Sequence, residues 1–287
     1  MDAPIVVHNS SAPSLVSGFN PRQVLGNLWR HRDLTLQLAY REIVNRYRAS
    51  WLGLAWTALN PLVLLAIYTF VFAEVLKMRW GDTAADTTWM FALTMFAGML
   101  VFNLFAEVTN RAPRLVVDQP NYVKRVVFPL ENLIVATVLA ALFNLAIGVV
   151  VWLLGWLLIQ QSLPHATVLW LPIVLLPVCI TTAGLAWLLA AVGVFVRDLT
   201  HAVVLATQVL FFATPIFYSM ERIPEAYRPV ALANPLTHAV VNARRVMLDG
   251  QAPNLAYLGV SFAFAILIGL TGYAVFVRHK RAFADVV

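Results

Sequence analysis

Six stretches of this chain are apolar and long enough, or nearly so, to cross a lipid bilayer, and this leaves few folds open to it. They cover roughly residues 52–76, 88–105, 130–159, 168–196, 201–218 and 255–277. A helix of about 20 apolar residues spans the hydrocarbon layer and satisfies its own backbone polar groups there. The third and fourth stretches are long enough to tilt. The second and fifth are short, and the fifth contains Pro215. Composition agrees: 61% of residues are hydrophobic and 12% charged, where a soluble domain has about a quarter charged. The fold expected is an all-α membrane protein of six transmembrane helices.

An even number of spans puts both termini on one side. Fourteen Lys and Arg residues fall on the terminal side and six on the other. The richer side is expected to be cytoplasmic, so both termini are placed inside. The same rule accounts for the formal charge of +6 without nucleic acid as a partner. Residues 1–20 lack the basic and apolar regions of a signal peptide. They are rich in Ser and Pro and expected to be mobile.

Three segments outside the spans carry information. Residues 21–50 are basic and helical in pattern. Asn20-Pro21 reads as a cap and first-turn proline, and Asp33 as a possible second cap. Leu36, Tyr40, Ile43, Val44 and Tyr47 recur at helical spacing, with Arg41 and Arg48 off that stripe. This predicts amphipathic helices lying in the inner interface. Ser50–Gly53 is the turn into the first span, where Asn60-Pro61 predicts a kink. Residues 106–129 form the longest inner connection, holding one short helix and broken by Pro120 and Pro129. Residues 215–250 are apolar but broken by Pro224, Pro229 and Pro235. Asn234-Pro235 starts a helix there and Gly250 follows its end. Short re-entrant or interfacial helices on the outer face are expected, because irregular backbone survives at membrane depth only in protein or beside a cavity.

Catalytic and metal motifs are missing. No phosphate-binding G-x-x-x-x-G-K-[ST] loop, no paired carboxylates, no His-x-x-x-His spacing and no G-x-S-x-G nucleophile occur. The single cysteine, Cys179, lies in an apolar run and makes no disulfide or metal site. Glu74, Glu107 and Glu131 sit at span ends, so the buried acids of an ion-coupled carrier are not seen. Mid-span polar residues are neutral, among them Asn60, Asn103 and Asn144, and suit helix–helix hydrogen bonds. Tyr68, Phe72, Phe211, Phe212, Phe217 and Tyr218 crowd the presumed ends of a pathway. Aromatic belts account for most such rings, although apolar sugar faces also stack on them.

Four segments, "SWLGLAWTALNPLVLLAIYTFVFAEVLKMRWG", "NYVKRVVFPLENLIVATVLAAL", "VFVRDLTHAVVLATQVLFFATPIFYS" and "IPEAYRPVALANPLTHAVVNARRVMLDG", follow the basic helix in that order. Together they resemble the membrane subunit of polysaccharide-exporting ABC transporters, most closely the O-antigen exporters of Gram-negative bacteria. The resemblance covers about residues 30–281. It implies a homodimer in the bacterial inner membrane with two copies of a separate ATPase, which uses the ATP and magnesium. This chain itself is implied to hold no cofactor. The implied substrate is an undecaprenyl-diphosphate-linked glycan: O-antigen, with capsule or teichoic acid as relatives.

The candidate site residues fall into four groups. Arg41, Arg46, Arg48, Trp51, Trp56 and Asn60 are expected at the lipid-carrier entrance. Arg111, Arg114, Asn121, Lys124 and Arg125 are expected to couple to the ATPase. Pro215, Phe217, Tyr218, Arg222, Arg228, Asn234, Pro235 and Arg245 mark a periplasmic gate. Tyr68, Phe72, Phe211 and Phe212 are expected as channel aromatics. Two alternatives stay open: a permease of the same fold for another lipid or a drug, and an integral-membrane enzyme acting on lipid-linked glycans.

Overall fold

The structure is a computed structural model that describes residues 21–47, 53, 55–77, 88–123 and 128–286. Residues 1–20, Arg48, Trp51, Lys124 and Arg125 lie outside the described residues. Every regular element among those described is helical. In chain order they are α1 (Pro21–Arg30), α2 (Arg32–Tyr47), α3 (Ala55–Thr69), α4 (Thr88–Arg111), α5 (Pro120–Val123) and α6 (Glu131–Gln160). There follow α7 (Leu171–Gly193), α8 (Leu199–Ala213), α9 (Arg228–Ala233), α10 (Pro235–Met247), α11 (Leu255–His279) and α12 (Phe283–Val286).

Among the described residues, five helical segments are long and apolar enough to cross a membrane: Ala58–Val75, Thr88–Arg114, Glu131–Gln160, Ala166–Gly193 and Leu255–Val286. The remaining apolar stretch forms α8, only 15 residues long. At 1.5 Å per residue it is about 22 Å, short of the ~30 Å hydrocarbon layer. Its end has a local cause. Pro215 drives the preceding residue out of helical geometry, and Thr214 is extended at φ −83°, ψ 137°.

At Asn60-Pro61 the helix is not broken, for α3 runs on through Pro61. The departure from α geometry comes later, in a π-helical turn over Phe70–Val75 that continues α3 directly. Of the turn expected over Ser50–Gly53 only Gly53 is among the described residues, at φ +48°, a conformation glycine adopts without steric cost.

Helix α4 is the central post. Of its most apolar window 78% is buried, against 11% for the first span, because α4 packs against α6, α7, α8 and α10. The most extensive packing is between α7 and α11. Gly184 of α7 and Gly269 and Gly272 of α11 explain how closely they approach. A Cβ built on Gly184 would lie 2.5 Å from the Ile268 carbonyl oxygen, and one on Gly272 would strike the Gly184 carbonyl. Without a hydrophobic drive between helices in lipid, close backbone approach at small residues is what holds such pairs.

Helix α2 lies against α6, but through a different face from the expected apolar stripe. Thr35, Leu38 and Ala39 are buried, while Leu36 and Tyr40 remain exposed. The buried face is polar enough to bond: the Asn132 side chain donates to the Thr35 hydroxyl at 2.5 Å. The helix therefore has two uses for its surface. One side docks on protein, and Leu36 and Tyr40, with Leu25 and Trp29 of α1, are exposed.

Candidate functional site

A cavity of about 530 Å³ opens between α2, α3, α4 and α6, at the end of the bundle that carries α1 and α2. Its wall holds Arg46, Trp56, Asn60, Asn103, Glu107, Asn110 and Asn144 over an apolar floor of Leu100, Leu104 and Leu145. Three of the six residues expected at the entrance, Arg46, Trp56 and Asn60, thus share one cavity. Sequence spacing alone does not join Arg46 to the rest. Docking of α2 on α6 does so, carrying its C-terminal arginine over the mouth.

The polar side of the cavity is an ordered network. The Asn144 amide donates to both Glu107 oxygens, at 2.9 and 3.0 Å. The Arg46 guanidinium also donates to Glu107 and stands 3.9 Å from Glu42, one helical turn back. Glu42 in turn accepts from Arg111 at 2.5 Å and from the Thr137 hydroxyl at 3.2 Å. These partners explain why α4 continues to Arg111, six residues beyond the apolar stretch. Its last turns are polar, and Asn110 there accepts from the Thr207 hydroxyl at 2.8 Å.

The remaining residues of that end divide. Arg41 lines a second cavity of about 440 Å³ beside Glu42, Asn45, Arg46 and Arg111. Its guanidinium sits 5.5 Å over the Tyr122 ring, a cation–π contact. Arg111 belongs to the Glu42 pair. Arg114 pairs within its own turn with Asp118 at 3.2 Å, and Asn121 is exposed on the four-residue helix α5. The turn before it, Ala112–Arg114, is seated on α7: a Cβ on Gly193 would strike the Pro113 carbonyl.

At the other end of the bundle, the break after α8 is held from two points of α10. Asn234 caps α10 by accepting from the Leu236 N–H at 3.0 Å, and its amide donates to the Thr214 hydroxyl at 2.9 Å. Arg244, three turns on, is buried and donates to the Pro215, Ile216 and Thr94 carbonyls at 2.5, 2.6 and 3.1 Å. Room for it exists because residue 98 is glycine: a Cβ there would lie 2.8 Å from the Arg244 Nη2. Gly250 follows α10 at φ +64°, as the stop signal predicts. The break delivers Phe217 into an aromatic cluster. Its ring stacks on Phe72 at 4.6 Å and meets Phe211 at 5.0 Å, Tyr68 at 5.5 Å and Phe212 at 5.7 Å.

Of the other residues grouped here from sequence, Tyr218 donates to the Phe212 carbonyl at 2.8 Å. Arg228 braces its own loop through the Ile223 and Glu221 carbonyls. Arg245 donates to the Ala252 carbonyl at 3.3 Å, and Arg222 is exposed. The arginine that reaches the break is its neighbour, Arg244, which sequence reasoning placed in none of the site groups. Glu107, Asn144 and Gly98 were also missed as site residues. A signal for part of this was present: Asn103, Glu107 and Asn110 are spaced by four and three, one polar stripe on a helix that is otherwise apolar.

Residues 33–248 match the ABC-2 type transporter family. The chain is 27% identical over 265 residues to the O-antigen export system permease protein RfbA of Myxococcus xanthus, covering 92% of this chain and 98% of the relative. It is 25% identical over 257 residues to the RfbA of Klebsiella pneumoniae, covering 89% and 95%. It is 24% identical over 240 residues to the polysialic acid transport protein KpsM of Escherichia coli, covering 82% and 90%. With the family match extending across three quarters of its length, and a helical fold that holds, among the described residues, five segments long and apolar enough to cross a membrane, this chain belongs to the ABC-2 type transporter family.

Proposed function

We propose that this chain is the channel-forming permease of an ATP-driven exporter of lipid-linked polysaccharide, with O-antigen as the favoured cargo. The observation that carries the reading is the near end-to-end likeness to permeases named for O-antigen and polysialic acid. The asparagine-lined cavity supports it, because amide groups and an exposed Trp56 suit a hydroxylated, partly apolar cargo.

In this reading α8 and the break after it complete a sixth crossing, and α9 with α10 form the gate on the outer face. Both termini are inside, in the bacterial inner membrane. Two copies of the chain assemble, using the exposed apolar sides of α3 and α8, which include Leu59, Val63, Ile67, Leu205 and Val209. Two copies of an ATPase dock at the connection after α4, where Arg111, Arg114, Asn121, Lys124 and Arg125 lie. That partner binds ATP and magnesium. Its closure pushes the Ala112–Arg114 turn, and Pro113 transmits the push to α7 at Gly193. The diphosphate of an undecaprenyl-linked glycan arrives at Arg46, where phosphate gains charge-assisted hydrogen bonds. The Phe217 cluster is the hydrophobic constriction ahead of it.

The test is genetic and biochemical together. Deleting the gene is expected to leave lipid-linked glycan inside the cell and remove it from the surface, and the purified chain is expected to bring an ATPase subunit with it. Unchanged surface glycan, or a chain that captures no ATPase, overturns the proposal.

A further inference from the structure

We infer that Glu107 is a built-in occupant of an anion site, whose carboxylate holds the place a phosphate of the arriving lipid headgroup takes. This rests on the reading of Arg46 as a headgroup contact. Three observations support it. First, donors from two separate elements converge on this one carboxylate: the Arg46 guanidinium from α2, and the Asn144 amide from α6 reaching both oxygens. Amide and guanidinium donors are the set that also binds phosphate. Second, the carboxylate is on the wall of the cavity and not sealed in the core. An incoming headgroup reaches it without unpacking a helix. Third, Arg46 is the one cation and Glu107 the one anion among the described residues lining that cavity. The two cancel, so a phosphate approaching the closed pair meets no net attraction. It gains Arg46 and Asn144 only by displacing Glu107.

The displacement has a route outward. Arg46 is shared between Glu107 and Glu42, and Glu42 holds Arg111 at the end of α4. When Arg46 turns from the carboxylates to a phosphate, Glu42 loses its second cation and keeps Arg111 at the end of α4, beside the Arg41–Tyr122 contact with the connection that follows. Arrival of the anion is thereby registered at the connection after α4. A ligand shifts such an equilibrium only through its different affinity for the two states, and the exchange of partners at Arg46 supplies that difference.

The experiment uses the full chain in lipid nanodiscs, with farnesyl diphosphate as the probe and farnesol as the tail-only control. Glu107→Gln is expected to tighten farnesyl diphosphate binding about fivefold, the scale set by one partly exposed ion pair, and to leave farnesol unchanged. Arg46→Gln is expected to weaken the diphosphate by at least as much. In Arg46→Gln/Glu107→Gln the gain is expected to vanish. If Arg46→Gln weakens binding but Glu107→Gln does not tighten it, the displacement is wrong while Arg46 keeps its headgroup role. If Arg46→Gln has no effect, the anion site itself is wrong and both readings fall. Should Glu107→Gln not yield monodisperse protein, Glu107→Asp withdraws the carboxylate by one methylene. It is expected to move affinity in the same direction, and unchanged or weaker binding there also overturns the displacement.

Discussion

Replacing Arg244 is expected to be among the most damaging single changes available in this chain. Its guanidinium donates to three backbone carbonyls. Thr94 lies inside α4, where its carbonyl also faces a helical N–H, so that contact is the least costly to lose. Pro215 and Ile216 lie in the break after α8, outside any helical ladder. A hydrogen bond to a charged group contributes about 1.5–3 kcal/mol, and stranding a buried acceptor costs a similar amount. Two such carbonyls set the loss for Arg244→Ala at about 3 kcal/mol or more, before any cavity term. Relief from burying the charge offsets part of this. Neutral interhelical bonds in membranes average only about 0.6 kcal/mol; the higher scale applies here because the donor is ionised.

Gly98 gives an independent check. A methyl group there would lie 2.8 Å from the Arg244 Nη2 and 3.3 Å from Val240. Gly98→Ala is therefore expected to cost about 1–3 kcal/mol by overpacking. In the Arg244→Ala background the first clash is gone, and alanine is the better helix former by about 1 kcal/mol. The same substitution should then be neutral or stabilising. The assay is a double-mutant cycle on unfolding of the detergent-solubilised chain. A cost below about 1 kcal/mol for Arg244→Ala, or the same Gly98→Ala cost in both backgrounds, refutes the reasoning.

Other outcomes follow from single contacts. Gly272→Ala forces a methyl group into the Gly184 carbonyl and is expected to separate α7 from α11 at about 1–3 kcal/mol, read as a lowered midpoint in the same unfolding assay. Asn234→Ala removes the α10 cap and the bond to Thr214, with an expected loss of about 1 kcal/mol. The gentler Asn234→Asp, which keeps the cap, should lose less. Lys280→Gln breaks the 2.7 Å pair with Glu131 that ties the end of α11 to the start of α6. Its partial exposure holds the expected loss to under about 1 kcal/mol, with a stability change of 2 kcal/mol or more as the contrary result.

Features with a local cause were readable in the sequence, and those made by contacts between distant residues were not. The Asn234-Pro235 start of α10 and the positive φ at Gly250 each depend on one or two residues, whereas α8 stops before Pro215, short of residue 218 where the apolar pattern placed the end of the fifth stretch. The entrance was half legible: Trp56 and Asn60 are one turn apart on α3, but Glu107 and Asn144 are 37 residues apart and meet only because α4 and α6 pack. Arg244 and Arg245 show the limit most plainly. They are neighbours with the same chemistry, and consecutive residues point about 100° apart on a helix. One arginine reaches the backbone of the break and the other a loop carbonyl. Which is which depends on how α10 is rolled against α4. The apolar stripe of α2 followed the same logic: its period showed a helix, but Thr35, Leu38 and Ala39 took the protein contact.

By itself the sequence determined that this chain lives in a membrane as a set of helices, because no other structure satisfies the backbone of such long apolar runs in lipid. Proline and glycine marked the bounds of α10, while α3 and α7 run on through Pro61 and Pro177. Tertiary structure alone decided which polar groups face each other inside. A carboxylate at a span end became the centre of a cavity network because α2 and α6 brought Arg46 and Asn144 to it. An arginine of the short helix α10 became a buried clamp because Gly98 left room for it. Hydrophobic periodicity carries no information about such pairings: they are fixed by the rotation and approach of whole helices, which close packing sets only when all of them are assembled.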